Sequence, residues 1–136
     1  MAKRTRTMTP LQVVKTYFKA VKTQDLKLLR SIFADDMELI SRTVGRMKGG
    51  ARITGFYGKL LKRFGGANPH PGPLMVFGDT VVFEVDAYHG REIHKVSDFF
   101  TVKRGKVKRL AIYQGPIRGK GEKLIDYTRS KPRWAS

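Results

Sequence analysis

The spacing of apolar residues changes period partway along the chain. Up to residue 64 they recur every three or four positions, as on one face of a helix; from residue 74 they alternate with polar ones, as in a half-buried strand. Thr9 and Pro10 supply an N-cap and a first helical residue. Leu11, Val14, Phe18 and Val21 then form the stripe of a first helix, with Val13, Tyr17 and Ala20 beside it. Asp25 caps a second helix, in which Leu26, Leu29 and Phe33 share one face and Leu28 and Ile32 widen it. Asp35 and Asp36 make the turn into a strand over 37–42, and TVGRMKGG reads as a glycine-containing connection. Ile53, Phe56, Tyr57, Leu60, Leu61 and Phe64 carry a third helix, which GGANPHPGP ends. Four alternating runs follow, 74–77, 80–88, 91–102 and 106–114, as an antiparallel meander. Helices first and strands later predict an α+β domain, with three N-terminal helices packed on one face of a curved, mainly antiparallel sheet.

One strand contains an anomaly. In HKVSDFFTV, residues 94–102, the inward phase is His94, Val96, Asp98, Phe100 and Val102, so a carboxylate stands in an apolar row. With His89 and Gly90 as a two-residue hairpin loop, Val85 pairs with His94, Phe83 with Val96 and Val81 with Asp98. Glu84 then faces Lys95 and Asp86 faces Ile93 on the wet side. A slip by one residue would bury Glu84 and Asp86 instead, so Asp98 is the carboxylate expected inside. Among Val and Phe its charged form is costly, and burial is expected to raise its pKa. Two roles stay open for it: a satisfied core carboxyl, or a hydrogen-bond donor in a pocket. The opposite face, with Val82, Tyr88, Ile93 and Phe99 among Glu84, Asp86 and Lys95, is more apolar than a solvated surface needs and reads as an interface for a second copy.

Length and composition narrow the picture. A chain of 136 residues suits one domain, here 9–115, with a basic arm at 1–8 and a basic tail at 116–136 that holds at most a short element around 123–127. No apolar run reaches the roughly 18 residues that span a bilayer, and MAKRTRTMTP lacks the apolar middle of a secretory signal. The expectation is a soluble, cytoplasmic protein with no membrane partner. Zero cysteines exclude disulfides, thiolate metal sites and cysteine nucleophiles, and three histidines leave little for zinc, so neither metal nor cofactor is expected.

Twenty-eight Lys and Arg against eleven Asp and Glu give a net charge of +17. Such a field draws polyanions, whether nucleic acid, a phosphorylated small molecule or an acidic protein, and it also keeps a surface soluble. Lys103, Arg104, Lys106, Lys108 and Arg109, crowded in KRGKVKR, are the candidate polyanion-binding residues. The chain lacks the aromatic and basic stripe that stacks bases.

LQVVKTYFKAVKTQDLKLLRSIFADDMELIS resembles the opening helical pair and first strand of the nuclear-transport-factor-like superfamily. GRMKGGARITGFYGKLL resembles its third helix, and SDFFTVKRGKVKRLAIYQG its last hairpin. Over roughly residues 10 to 115 the chain is similar to the SnoaL-like and ketosteroid-isomerase-like branch. The resemblance implies a cystatin-like cone enclosing an apolar pocket, and a homodimer through the outer sheet face. It leaves activity open among isomerases, cyclases, dehydratases, epoxide hydrolases and non-catalytic binders. In the isomerase branch a helix-one tyrosine and a protonated aspartate on a late strand form an oxyanion hole, and an acid ending the first strand moves the proton. The resemblance assigns the first two roles to Tyr17 and Asp98. Ser41 stands where the acid would, and a serine hydroxyl does not shuttle protons near pH 7. The epoxide-hydrolase set of an Arg and two Asp is unmatched, because Glu84 and Asp86 point outward and Ile112 stands at the second Asp.

Tyr17, Asp98, His94 and Ser41 are therefore the candidate catalytic residues. His94 reads either as a general base at a pocket mouth or as a capped strand-end histidine. The candidate lining comprises Val14, Phe18, Tyr57 and Phe83, together with Val96, Phe100, Leu110 and Ile112; Tyr57 also reads as plain core. Two functions stand. One is a pocket protein for a small apolar or anionic molecule, acting as an isomerase, cyclase or dehydratase on a carbonyl-type substrate. The alternative is a non-catalytic binding module for nucleic acid or another polyanion.

Overall fold

The helices start and stop where side chains can satisfy the loose ends of their backbones. In α1 (Pro10–Thr23) the Gln12 amide donates to Thr9 Oγ1 at 3.2 Å, while the Thr9 amide donates to Gln12 Oε1 at 2.9 Å. The helix closes as Gln24 turns left-handed at φ 56°. The Leu28 amide donates to Asp25 Oδ1 at 3.0 Å and starts α2 (Leu26–Ile32). The computed structural model describes residues 7–63, 69–89 and 91–119. Phe64, residues 1–6 of the arm, the tail beyond Gly119 with the element expected at 123–127, and the side chain of Tyr88 lie outside the described residues.

β1 (Phe33–Ser41) follows α2 directly and begins earlier than the expected position 37. Asp35 and Asp36, expected in a turn, occupy the stretch between Phe33 and Glu38 where the strand register shifts, and they pair with Arg30 and Lys108. The segment expected as a plain connection contains β2 (Gly45–Lys48), antiparallel to β1. Its residues are largely exposed, so the alternation that marks a half-buried strand is missing from it. α3 (Gly50–Arg63) begins on a glycine pressed against β1. A Cβ there would lie 2.4 Å from the Ala34 carbonyl oxygen, which ties this helix start to glycine.

The remaining strands are β3 (His70–Pro71), β4 (Met75–Phe77), β5 (Thr80–His89), β6 (Glu92–Lys103) and β7 (Lys106–Gly119). They form one sheet in the order β2-β1-β7-β6-β5-β3, with β4 also on β5. β1 and β7 run parallel and the other pairs antiparallel. β7 runs on into the stretch read as tail. Thr7 and Met8, read as arm, lie over the β6–β7 turn, where a Cβ on Gly105 would meet Thr7 Cγ2 at 2.6 Å. The fold is α+β, three helices on a mixed, mostly antiparallel sheet.

The β5–β6 register differs from the expected one by two residues. Phe83 pairs with Asp98, Val85 with Val96, Ala87 with His94 and Val81 with Phe100. The last pair is His89 with Glu92, so the connection falls one residue later than His89-Gly90. Because strand faces repeat every two residues, this shift leaves every side chain on its expected face. Val96, Asp98, Phe100 and Val102 are buried; Phe99 is exposed. Lys95 stands opposite Asp86 rather than Glu84, and its Nζ lies 3.5 Å from Asp86 and 3.9 Å from Glu84.

The core lies between the helices and the inner sheet face. Phe33, Phe83, Phe100, Leu29, Ile32 and Met37 are its largest fully buried side chains. The Phe83 and Phe100 rings stack at 5.7 Å, and truncating such a ring costs about 3–5 kcal/mol. On the outer face Phe99 and the 52% exposed Tyr113 meet edge to face at 5.5 Å. Ile93, expected to share that exposed surface, is buried. Among the described residues no helix is long and apolar enough to cross a membrane.

Candidate ligand pocket

The inner face of the sheet does not close completely on the helices. α1 and α3 on one side and β1, β5, β6 and β7 on the other leave a cavity of about 630 Å³, within the range of sites that take small organic ligands. Tyr17, Asp98, His94 and Ser41 all border it, as do Phe18, Tyr57, Val96 and Ile112. Val14, Phe83, Phe100 and Leu110 do not. They are fully buried in the core, where inward phase alone had made them look like lining.

Asp98 is 4% exposed, and its Oδ1 is buried without a hydrogen-bond partner. Desolvation pushes its pKa up to about 7, because an apolar wall disfavours the charged form. Phe83 and Ile112 flank it on the neighbouring strands. Opposite, α1 and α3 bring together Tyr17 and Tyr57, whose hydroxyls hydrogen bond at 2.7 Å. Burial raises the pKa of both phenols, and the nearby Asp98 charge raises both further. Asp98 is therefore close enough to act electrostatically on the pair. Two hydroxyls joined by one bond use one of their two hydrogens, which leaves the other to donate elsewhere.

The Tyr17 ring packs at 4.9 Å on Phe100 and edge to face on Tyr57 at 5.9 Å, which fixes where the hydroxyls point. At the more open end, Ser41 Oγ accepts from the Val44 amide at 3.3 Å. His94 Nε2 lies 2.7 Å from Glu92 Oε2. His94 and Asp98 are four residues apart on β6, about 13 Å at ~3.3 Å per residue. They are not a pair acting on neighbouring atoms.

The KRGKVKR cations do not converge. Lys103 pairs with Asp79 and Lys108 with Asp36, Lys106 Nζ donates to the Ser31 carbonyl at 2.7 Å, and Arg109 lies 4.0 Å from Glu38. Arg104 occupies the left-handed turn at φ 51°. Alternation along β7 and internal acids divide a run that is contiguous only in sequence. Glu84 is exposed and Asp86 half-buried, and neither borders the cavity. Among the described residues no cluster of three metal-binding side chains occurs.

The cavity is thus bounded by Tyr17 of α1 and the buried Asp98 of β6, between α1, α3 and the sheet. The family model of the SnoaL-like domain matches residues 14–110. The chain belongs to the SnoaL-like domain family. Solved structures share its NTF2-like and cystatin-like cone at low identity. A proposed polyketide cyclase from Sinorhizobium meliloti is 22% identical, with a TM-score of 0.66 over 77% of this chain and 99% of that one. A proposed ketosteroid isomerase from Kribbella flavida is 18% identical, with a TM-score of 0.67 over 89% and 86%. An LEH-like epoxide hydrolase from M. tuberculosis is 18% identical, with a TM-score of 0.68 over 78% and 82%. None of the curated proteins compared with the chain matches it. These likenesses show the fold.

Two features of this SnoaL-like domain escaped the sequence pattern. Tyr57 lies on an apolar helical face, and nothing in its spacing reveals that its hydroxyl meets Tyr17, forty residues away in the chain. Arg42, Arg63 and Arg91 border the cavity together, yet no two are neighbours in sequence, whereas the more conspicuous basic run lies elsewhere.

Proposed function

We propose that this SnoaL-like domain binds a small, mostly apolar carbonyl compound and acts on it as an isomerase, cyclase or dehydratase, by stabilising charge on the carbonyl oxygen. The buried, unpartnered Asp98 Oδ1 carries the reading. Below about pH 7 its carboxyl retains a proton, and with the spare hydrogen of the Tyr17–Tyr57 pair it offers two donors to one oxygen. Donors fixed in a dry site stabilise a developing oxyanion far more than donors in water. Ser41 and His94 are auxiliary polar groups nearer the opening. With Ser41 at the end of β1, proton transfer between adjacent carbons is not the favoured reaction, and ring closure or dehydration fits better.

2-Naphthol tests this, because its phenol oxygen imitates an enolate. Its affinity, followed by its own fluorescence, is expected to fall about tenfold on Asp98→Ala, the scale of one neutral hydrogen bond. In the wild type affinity should decline as pH rises through about 7, and in Asp98→Asn that step should vanish. Equal binding by Asp98→Ala and wild type, with no pH step, rules the reading out. The alternative of a polyanion-binding module has less support, since four of the five candidate cations have contacts within the fold.

A further inference from the structure

The cavity is polarised from end to end. Its deep wall holds Tyr17, Tyr57 and Asp98, all buried and none a cation. Its cations, Arg42, Arg63 and Arg91, are all exposed. They come from three separate places: the turn after β1, the last residue of α3, and the connection between β5 and β6. One exposed carboxylate, Glu92, also borders the cavity, and it lies against His94 at 2.7 Å. Arg30 meets Asp35, and Arg46 and Arg109 approach Glu38. Among the described residues no carboxylate pairs with Arg42 or Arg91.

A guanidinium presents parallel N–H donors that match two oxygens of a carboxylate or phosphate. At a water-facing rim it can do so without the desolvation that a buried ion pair requires. At the deep end the same anion would lie against Asp98 with no cation near it, a costly placement. The cavity therefore admits an acid in one orientation.

We propose that the ligand is an amphipathic organic acid, with an apolar, carbonyl-bearing body in the cavity and an anionic head, carboxylate or phosphate, held at the mouth by Arg42, Arg63 and Arg91. This rests on the cavity being a ligand pocket and adds the class of ligand. The His94 to Asp98 span of about 13 Å along β6 leaves room in the cavity for a body about two fused rings long. The +17 charge of the whole chain raises the local concentration of such an anion, and the rim gives it a fixed position.

Four probes separate head from body: 6-hydroxy-2-naphthoate, its methyl ester, 2-naphthol, and 6-hydroxy-2-naphthyl phosphate. At 150 mM salt either acid is expected to bind the full chain about tenfold more tightly than the ester or the naphthol. The surface variant Arg42→Gln/Arg63→Gln/Arg91→Gln should lose that preference and keep its affinity for 2-naphthol. A charge-matched control, Lys15→Gln/Lys22→Gln/Arg52→Gln, should keep the preference, which separates a seated head from the general field. Whichever acid binds more tightly identifies the head and supports the proposal. Equal binding of acid and ester overturns the proposal alone, as does equal loss in the control variant. Failure of all four probes, 2-naphthol included, overturns the pocket reading and this proposal with it.

Discussion

Asp36 and Asp98 belong to one sheet and have opposite fates. Asp36, on β1, is exposed, and a hydrogen bond from Lys108 is the main reason its carboxyl titrates below the usual range. Glu38, two residues on, is held low in the same way by Arg46. Asp98, on β6, is buried and pushed up to about 7 by desolvation. With twenty-eight cations for eleven acids, a cationic partner is the default for any carboxylate this chain exposes. Asp98 escapes because the cavity's cations stand at its mouth. Composition cannot produce a neutral acid in such a protein; position on the inward phase of a strand does.

The largest effect expected from this contrast is a pH-dependent stability specific to Asp98. A carboxyl whose folded value is raised holds a proton that the unfolded chain has released. The contribution is favourable below the unfolded value near 3.9 and is lost as pH rises toward the folded value of about 7. A difference of about three pH units amounts to roughly 4 kcal/mol at ~1.4 kcal/mol each. Asp98→Asn cannot ionise, so its stability relative to wild type should improve by about that much between pH 4 and pH 8, read from urea midpoints. A wild-type advantage that grows with pH would mean that Asp98 is ionised and paired, and the contrast with Asp36 would collapse.

Much of this was legible in the chain. Period-two alternation placed Asp98 inside even though the hairpin register was off by two residues, because a two-residue shift preserves the face. Thr9 and Asp25 marked helix starts through local hydrogen bonds, which depend on few neighbours. β2 was not legible, since a four-residue strand in which only Met47 is partly buried shows no alternation. The division of inward residues into core and cavity wall was not legible either. Phe100 and Val96 share a phase, yet Phe100 lies in the core and Val96 borders the cavity. That difference depends on where the helices stop covering the sheet, a property of packing between elements. The arginine rim and the Tyr17–Tyr57 bond are likewise products of distant segments meeting.

The tyrosine pair sharpens the contrast at a smaller scale, since it is the polar group nearest in character to Asp98. Tyr17→Phe leaves the Tyr57 hydroxyl buried without its 2.7 Å partner, at a cost of about 1–3 kcal/mol. Adding Tyr57→Phe removes the orphan, so the double variant should be destabilised by less than the sum of the two single ones, with a coupling of about 1 kcal/mol or more in a thermal or urea cycle. Strict additivity would show that the hydroxyls do not depend on each other. The deep end of the cavity would then be less ordered than the outer ion pairs are.

The smallest effect belongs to Asp36. Its folded value is depressed, so the stability it contributes is present above the unfolded value near 3.9 and is lost as pH falls through the folded one, the reverse of Asp98. Exposure lets solvent and salt screen the Lys108 pair, whereas the buried carboxyl is screened little. Urea midpoints for wild type and Asp36→Asn, between pH 3 and pH 7 and at about 50 and 500 mM salt, should show a slight wild-type advantage at pH 7 and low salt. That advantage should vanish at either acid pH or high salt, while the Asp98→Asn profile barely moves with salt. An Asp36 effect as large as that of Asp98, or one that survives 500 mM salt, would show that exposure does not separate the two carboxylates and that the sheet as a whole sets their titration.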